Sequence, residues 1–222
     1  MLILGIDDAG RGPVLGSMFL AGVLIKKEDE KELKAEGVAD SKTLTHLNRM
    51  RLAGIIKDAS KNFKIVEATP EQIDHAVNSG LNLNTLEAIK TAEIINSLLT
   101  NVKEHVKVVV DCPSVNTVAW KATLSGYLKE KDIELYCEHK ADANHISVSA
   151  ASILAKCARE ESLIDLKKKF GDFGSGYPSD PYTKEFLKKS GKKHKDAGIF
   201  RKSWATWKAL YPEENQGTLE GL

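Results

Sequence analysis

Residues 5–13 read Gly-Ile-Asp-Asp-Ala-Gly-Arg-Gly-Pro, which sets two adjacent carboxylates, Asp7 and Asp8, at the end of an apolar run and directly before a glycine-rich turn. Carboxylates repel phosphates. A turn that holds both acids and a phosphate-cradling backbone therefore calls for a hard divalent cation between them, Mg²⁺ or Mn²⁺, which takes carboxylate and phosphate oxygens together. The substrate this pattern implies is a phosphodiester. A dinucleotide-binding loop fails on spacing, because Gly10, Gly12 and Gly16 run G-x-G-x-x-x-G and the acids come first. A Walker loop fails because no Gly-Lys-Ser or Gly-Lys-Thr follows. The plainer alternative, a strand ending in a turn with solvated acids, weakens with each further acid found on a strand tip.

Two such acids occur. Val108-Val109-Val110 runs into Asp111 and then Cys112-Pro113-Ser114, a buried-strand pattern ending in an acid and a helix-start signal. Residues 133–137 alternate like a strand, and His139-Lys140-Ala141-Asp142 opens the loop before a long helical pattern that begins near His145. In an open α/β sheet, strand ends converge on one crevice, so Asp7, Asp8, Asp111 and Asp142 are candidate ligands of one metal site. Successive strand side chains point to opposite faces. Asp7 and Asp8 thus reach one site only if the backbone leaves the pleat between or just after them, a departure Gly10 and Gly12 permit. His139 and His145 flank Asp142, but hard-metal phosphodiester chemistry does not need imidazole.

The elements that must position these residues follow from periodicity. Strands are expected near 2–8, 17–26, 63–68, 107–111 and 132–137, and helices near 46–59, 70–78, 84–104, 114–130, 145–169, 181–190 and 199–210. Thr45 or His46 starts the first of these helices, Pro70 suits the first turn of the next, and Ser114 is the expected cap after Asp111. The small residues of 147–155 allow close packing beneath the site, and Trp204 and Trp207, spaced i, i+3, are expected to pack the last helix onto the body. Five strands and several helices make an α/β protein with a mixed sheet covered by helices.

Composition bounds the rest. With 222 residues and 42% hydrophobic content the chain has enough for a full core in one domain plus a modest extension. Its longest apolar run, 18–25, is too short to span a membrane, and no charged leader precedes an apolar segment, so a soluble cytoplasmic protein is expected. Cys112, Cys137 and Cys157 are odd in number and lack C-x-x-C spacing, which points to buried thiols. Net charge is +1, but residues 156–208 carry 14 Lys or Arg against 7 Asp or Glu, whereas the remainder carries 18 against 24. This asymmetry suits a phosphate-backbone grip, with Lys188, Lys189, Lys192, Lys193, Lys195, Arg201 and Lys202 as candidates among lysines that are otherwise solvated. Lys42 and Lys156 stand evenly between phosphate contact and surface charge.

The chain resembles the ribonuclease HII family in its archaeal form. The resemblance rests on blocks in the family's order: Asp7 to Pro13, Asp40-Ser41-Lys42, Val110-Asp111, His139 to Asp142, Val148 to Lys156, Gly174 to Pro181 and Arg201 to Trp204. It implies a ribonuclease H-like catalytic domain over 1–170 and a helical C-terminal substrate-binding extension over 171–211, while the polar composition after Pro212 sets the expectation of a disordered tail over 212–222. It also implies that Asp7, Asp8, Asp111 and Asp142 hold two Mg²⁺ or Mn²⁺ ions. The implied activity is hydrolysis of RNA paired with DNA and cutting at single ribonucleotides in duplex DNA, leaving 3′-hydroxyl and 5′-phosphate ends. Recognition of the 2′-hydroxyl maps by resemblance to Gly10, Arg11, Gly12 and Tyr177. A monomer is expected. The Gln216-Gly217-Thr218-Leu219 string lacks the aromatic pair of a clamp-binding tail, so the tail gives no support for a sliding-clamp partner. One departure falls in the site itself: the family pattern has glutamate where this chain has Asp8, which withdraws that carboxylate by one methylene, roughly 1.3 to 1.5 Å.

Overall fold

The computed structural model of the chain describes residues 1–39, 44–129 and 132–215. Five strands, β1 (Leu2–Ala9), β2 (Met18–Lys26), β3 (Asn62–Ala68), β4 (Val106–Asp111) and β5 (Glu134–Glu138), form one sheet in the order β3-β2-β1-β4-β5. β1 pairs antiparallel with β2 and parallel with β4, so the mixed sheet has an antiparallel half and a parallel half that meet at β1. As the central strand, β1 is buried on both sides, which is why its sequence is a continuous apolar run with no alternation.

Alternation along β1 nevertheless divides two cores. Leu2, Leu4 and Ile6 pack against α3 (Pro70–Asn78), α4 (Leu83–Leu98) and α5 (Thr117–Tyr127) on one face. Ile3 and Ala9 pack against α1 (Asp29–Ala35), α2 (His46–Ala59) and α7 (Ile146–Phe170) on the other. The closest approach is at Gly5. A Cβ there would lie under 3.0 Å from the backbone of Ser147 and Val148, and residues 147–155 of α7 are buried throughout. Only hydrogen at residue 5 and small side chains on the helix allow this contact.

A third core lies beyond α7. Phe173, Phe186, Leu187, Ile199, Phe200, Trp207 and Tyr211 pack around α8 (Pro181–Ser190) and α9 (Ala205–Leu210), and they enclose Val14 and Leu15 from the β1–β2 loop. That loop is stitched to the C-terminal segment by backbone bonds from Gly16 N to Ile199 O (2.9 Å) and from Arg201 N to Val14 O (2.9 Å).

Three expected helices change. The helix expected over 84–104 ends at Leu98, and Asn101 turns the chain with φ of 69°. The one expected from Ser114 begins at Thr117, capped by the Asn116 side chain, which accepts from Ala119 N at 3.0 Å; Ser114 stays in the loop. The last begins at Ala205 because residues 199–201 are held extended by their pairing with 14–16. His145, extended at φ −129°, separates a short α6 (Ala141–Asn144) from α7. Helix α1, which buries only Leu33, carries no apolar stripe to announce it. Pro212–Asn215 form a 3₁₀ turn where disorder was expected, since Tyr211 before it is buried with its hydroxyl on the Leu187 carbonyl; residues 216–222 lie outside the described residues. No helix among the described residues is long and apolar enough to cross a membrane.

Candidate active site

Ile6 of β1 lies opposite Val110 of β4, so the next residue of each strand, Asp7 and Asp111, arrives at the same edge of the sheet. Val109 packs with Ala141 and Val148, which by alternation sets Asp111 on the α7 side, the side Asp7 also faces. Asp142, buried on α6, is tied to the pair through its neighbour: the Ala141 N–H donates to Asp111 Oδ1 at 2.8 Å. β1 stays paired through Ala9 opposite Phe19, so the pleat persists through both acids and breaks only at Gly10, with φ of 89°. Asp8 therefore starts from the opposite face, the one covered by α4.

These carboxylates feel one another. Burial, then the charge of Asp8 and that of Asp111, pushes Asp7 up to about 8, against a hydrogen bond from the Ser152 hydroxyl of α7. Burial pushes Asp8 up to about 6; the charge of Asp111 acts in the same direction, and Arg11, Lys156 and Arg201 act against it. A cavity of about 10 Å³, close to one water-sized sphere, is bounded by Asp7, Asp8, Glu87, Asp111 and Trp120. Among the described residues no group of three or more His, Cys, Asp or Glu side chains forms a ready-made metal cage. The donor set still fits a hard divalent ion, because it is all carboxylate oxygen and because a cation would offset the burial and the like charges that push both acids up.

Beside the acids lies a cleft of about 350 Å³ lined by Asp8, Gly10, Arg11, Gly12, Arg49, Lys156, Arg159, Glu160 and Tyr177. The Arg159 guanidinium lies 5.2 Å from the Tyr177 ring centre and donates from Nη2 to the Ser175 carbonyl at 2.8 Å, which backs the ring from behind. A Cβ on Gly12 would meet Tyr177 Cε1 at 3.2 Å, so glycine is what lets the loop lie against the ring. The Arg11 side chain turns to α4, where it pairs with buried Glu87 and donates to Asn84 Oδ1 at 2.6 Å, leaving the loop backbone to face the cleft.

Arg201, expected to grip phosphate, cannot do so in this fold. It is fully buried, and its guanidinium donates to the carbonyls of Gly16 (2.9 Å), Arg11 (2.8 Å) and Gly10 (2.6 Å). Burial lowers it to about 10. Lys42 lies outside the described residues, and Lys156 lines the cleft. His139 engages the Cys112 carbonyl and His145 engages Glu138. All three cysteines are free thiols.

Arg49, Arg159 and Glu87 escaped the sequence reading. Arg159 falls one helical turn after Lys156, which was a usable signal; Glu87 is a charge inside the inward stripe of α4, which was another. Arg49 carried none, since its place depends on how α2 packs against α7.

A mixed five-stranded sheet with acids at the tips of its adjacent central parallel strands defines a ribonuclease H-like nuclease. A family model for ribonuclease HII matches residues 4–207. The ribonuclease HII of Methanococcus maripaludis strain C6 is 41% identical over 213 residues, which is 96% of this chain and 88% of that one. The solved ribonuclease H2 from Pyrococcus horikoshii OT3 superposes with a TM-score of 0.86 at 36% identity, covering 98% of this chain and all of the other. The Archaeoglobus fulgidus ribonuclease HII, solved in complex with PCNA, superposes with a TM-score of 0.81 at 35% identity over 92% of this chain and 95% of the other. The chain belongs to the ribonuclease HII family, metal-dependent endonucleases that act on RNA in RNA/DNA hybrids.

Proposed function

We propose that this chain cuts the RNA strand of RNA/DNA hybrids and also cuts 5′ of single ribonucleotides embedded in duplex DNA, leaving 3′-hydroxyl and 5′-phosphate ends. In this reading Asp7, Asp8, Asp111 and Asp142 hold two divalent ions, Mg²⁺ or Mn²⁺. When bound, such ions promote attack by water and neutralise charge developing on the scissile phosphate and leaving oxygen. The observation that carries the reading is the meeting of Asp7 and Asp111 on neighbouring strand ends, with Asp142 drawn in beside Asp111, at the border of a basic cleft.

The chain's own residues supply the rest. Asp7 and Asp8, both raised in the metal-free site, must shed protons to act as ligands, so protons compete with the metal and activity rises with pH, with the bound cation drawing both carboxylates below their metal-free values. Arg49, Lys156 and Arg159 face the phosphates across the cleft, the last while backing Tyr177. The Tyr177 ring lies against the sugar, and the backbone of Gly10, Arg11 and Gly12 meets the 2′-hydroxyl, which is what tells RNA from DNA. The extension over 171–211 grips the duplex through its exposed lysines. The test is incubation with duplex DNA containing one ribonucleotide, in Mg²⁺ and in Mn²⁺, with product ends mapped. One cut on the 5′ side of the ribonucleotide is expected. Tight hybrid binding with no cutting in either ion would replace this reading by a binding role.

A further inference from the structure

Three consecutive loop carbonyls are held by two side chains of the C-terminal extension. Gly10 O and Arg11 O accept from Arg201 Nη2 (2.6 Å) and Nη1 (2.8 Å), and Gly12 O accepts from Trp204 Nε1 at 3.2 Å. The third arm of the guanidinium, Nε, reaches Gly16 O at 2.9 Å, and its carbon lies 5.0 Å from the Trp204 ring centre. A trans peptide points its C=O and its N–H in opposite directions. With the carbonyls of residues 10 and 11 drawn toward Arg201, the N–H groups of Arg11 and Gly12 are turned the other way, the side on which the loop borders the cleft and on which Gly12 lies against Tyr177. Pro13 has no N–H, so the third clamped carbonyl has no donor behind it. Neither the Arg11 nor the Gly12 N–H has a hydrogen-bond partner among the described residues. Two adjacent backbone donors left open in this way form a nest for an oxygen ligand.

We propose that Arg201 and Trp204 are positioning residues that aim the Arg11 and Gly12 N–H groups at the substrate ribose, so that selection of RNA over DNA is governed from the C-terminal extension. The inference rests on the functional reading above. Arginine is required because one planar fork spans three carbonyls 191 residues or fewer from it in sequence, whereas an ammonium is a compact point donor that cannot hold all three in register. The lever is long range in the chain and short range in space. Residues 14–16, which follow the clamped loop, are themselves paired to 199–201, so the loop cannot drift away from its clamp.

The test compares Arg201→Lys and Trp204→Phe with the parent in fluorescence anisotropy, without divalent ions so that nothing is cut, on an RNA/DNA hybrid and on the all-DNA duplex of the same sequence. The parent is expected to prefer the hybrid. Arg201→Lys is expected to lose about tenfold in hybrid affinity, the scale of one misplaced hydrogen bond, while DNA affinity stays within about twofold. Trp204→Phe, which keeps the ring and removes only the Nε1 donor, loses hybrid preference in the same direction by less. An unchanged preference in a folded Arg201→Lys, or an equal loss on both duplexes, would overturn the proposal. If Arg201→Lys does not fold, Trp204→Phe decides alone, and an unchanged preference in it overturns the proposal. A parent with no preference for the hybrid would sink the functional reading itself.

Discussion

Gly5→Ala adds one methyl group where β1 and α7 touch, two residues before Asp7. The new carbon would lie under 3.0 Å from Ser147 C, Ser147 O and Val148 N, and all three are backbone atoms, so no side chain can swing away. The strand and the helix must separate until that carbon reaches ordinary contact at 3.4 Å or more. Inserting a methyl group into a packed core costs about 1–3 kcal/mol, and a backbone obstacle belongs at the upper end. The stiffer unfolded chain returns about 0.4–1 kcal/mol, leaving a net loss of about 2 kcal/mol or more. For a protein of this size that is a fall in Tm of roughly 4–8 °C. The separation also pulls the Ser152 hydroxyl from Asp7, so cleavage should drop even well below the melting temperature. Gly54→Ala, on α2 with nothing within 4 Å of its added carbon, is the control and should be neutral or slightly stabilising. Thermal melts by circular dichroism and initial rates on a hybrid substrate, measured for both variants, decide the matter. Equal melting temperatures for Gly5→Ala and Gly54→Ala would refute the claim that this contact sets the spacing of the site.

In EDTA the parent should lose stability as pH rises from about 4 to 8. The folded value of Asp7, about 8 against an ordinary 3.8, means its stabilising contribution is complete below pH 3.8 and gone once pH passes 8. Asp7→Asn should flatten that slope and melt higher than the parent at alkaline pH; parallel curves would contradict the assignment. Asp8→Glu restores the missing methylene to a carboxylate that starts from the α4 side, and it should raise Mg²⁺-supported cleavage more than Mn²⁺-supported cleavage, since Mg²⁺ is stricter about geometry. Identical Mg²⁺ rates in parent and variant would remove that explanation. Tyr177→Phe deletes only a hydroxyl from a side chain that is 38% exposed, so Tm should hold while cleavage of a hybrid falls about tenfold. An unaltered rate would show that the ring alone serves.

Much of the frame could be read in advance because its signals are local. Helices α2, α3 and α8 carry their own start markers in Thr45, Pro70 and Pro181, and each strand advertised itself by an apolar or alternating run. The acids were legible because each ends a strand or opens the loop after one. What stayed hidden depends on distant partners. The extended course of 199–201 comes from pairing with 14–16, and burial of Arg201 comes with three carbonyls 185 to 191 residues earlier in the chain. A basic residue in a basic segment looks like a surface charge until the fold encloses it. The opposite facing of Asp7 and Asp8 could be foreseen as a constraint, yet where the pleat ends was decided by the pairing of Ala9 with Phe19.

Helix α7 runs unbroken for 25 residues. Ser152 touches Asp7, Lys156 and Arg159 border the cleft, and Leu163 and Leu166 enter the third core, all at helical spacing along one side. At about 1.5 Å per residue the rod fixes the distance from the acids to the extension at roughly 15–20 Å. A single inserted residue within that stretch would rotate everything beyond it by about 100° and send the cleft and the third core to different sides. The interval from 152 to 166 should therefore accept substitutions far more readily than changes of length, and any gain or loss there would have to come in multiples close to a full heptad, carrying the whole extension outward with it.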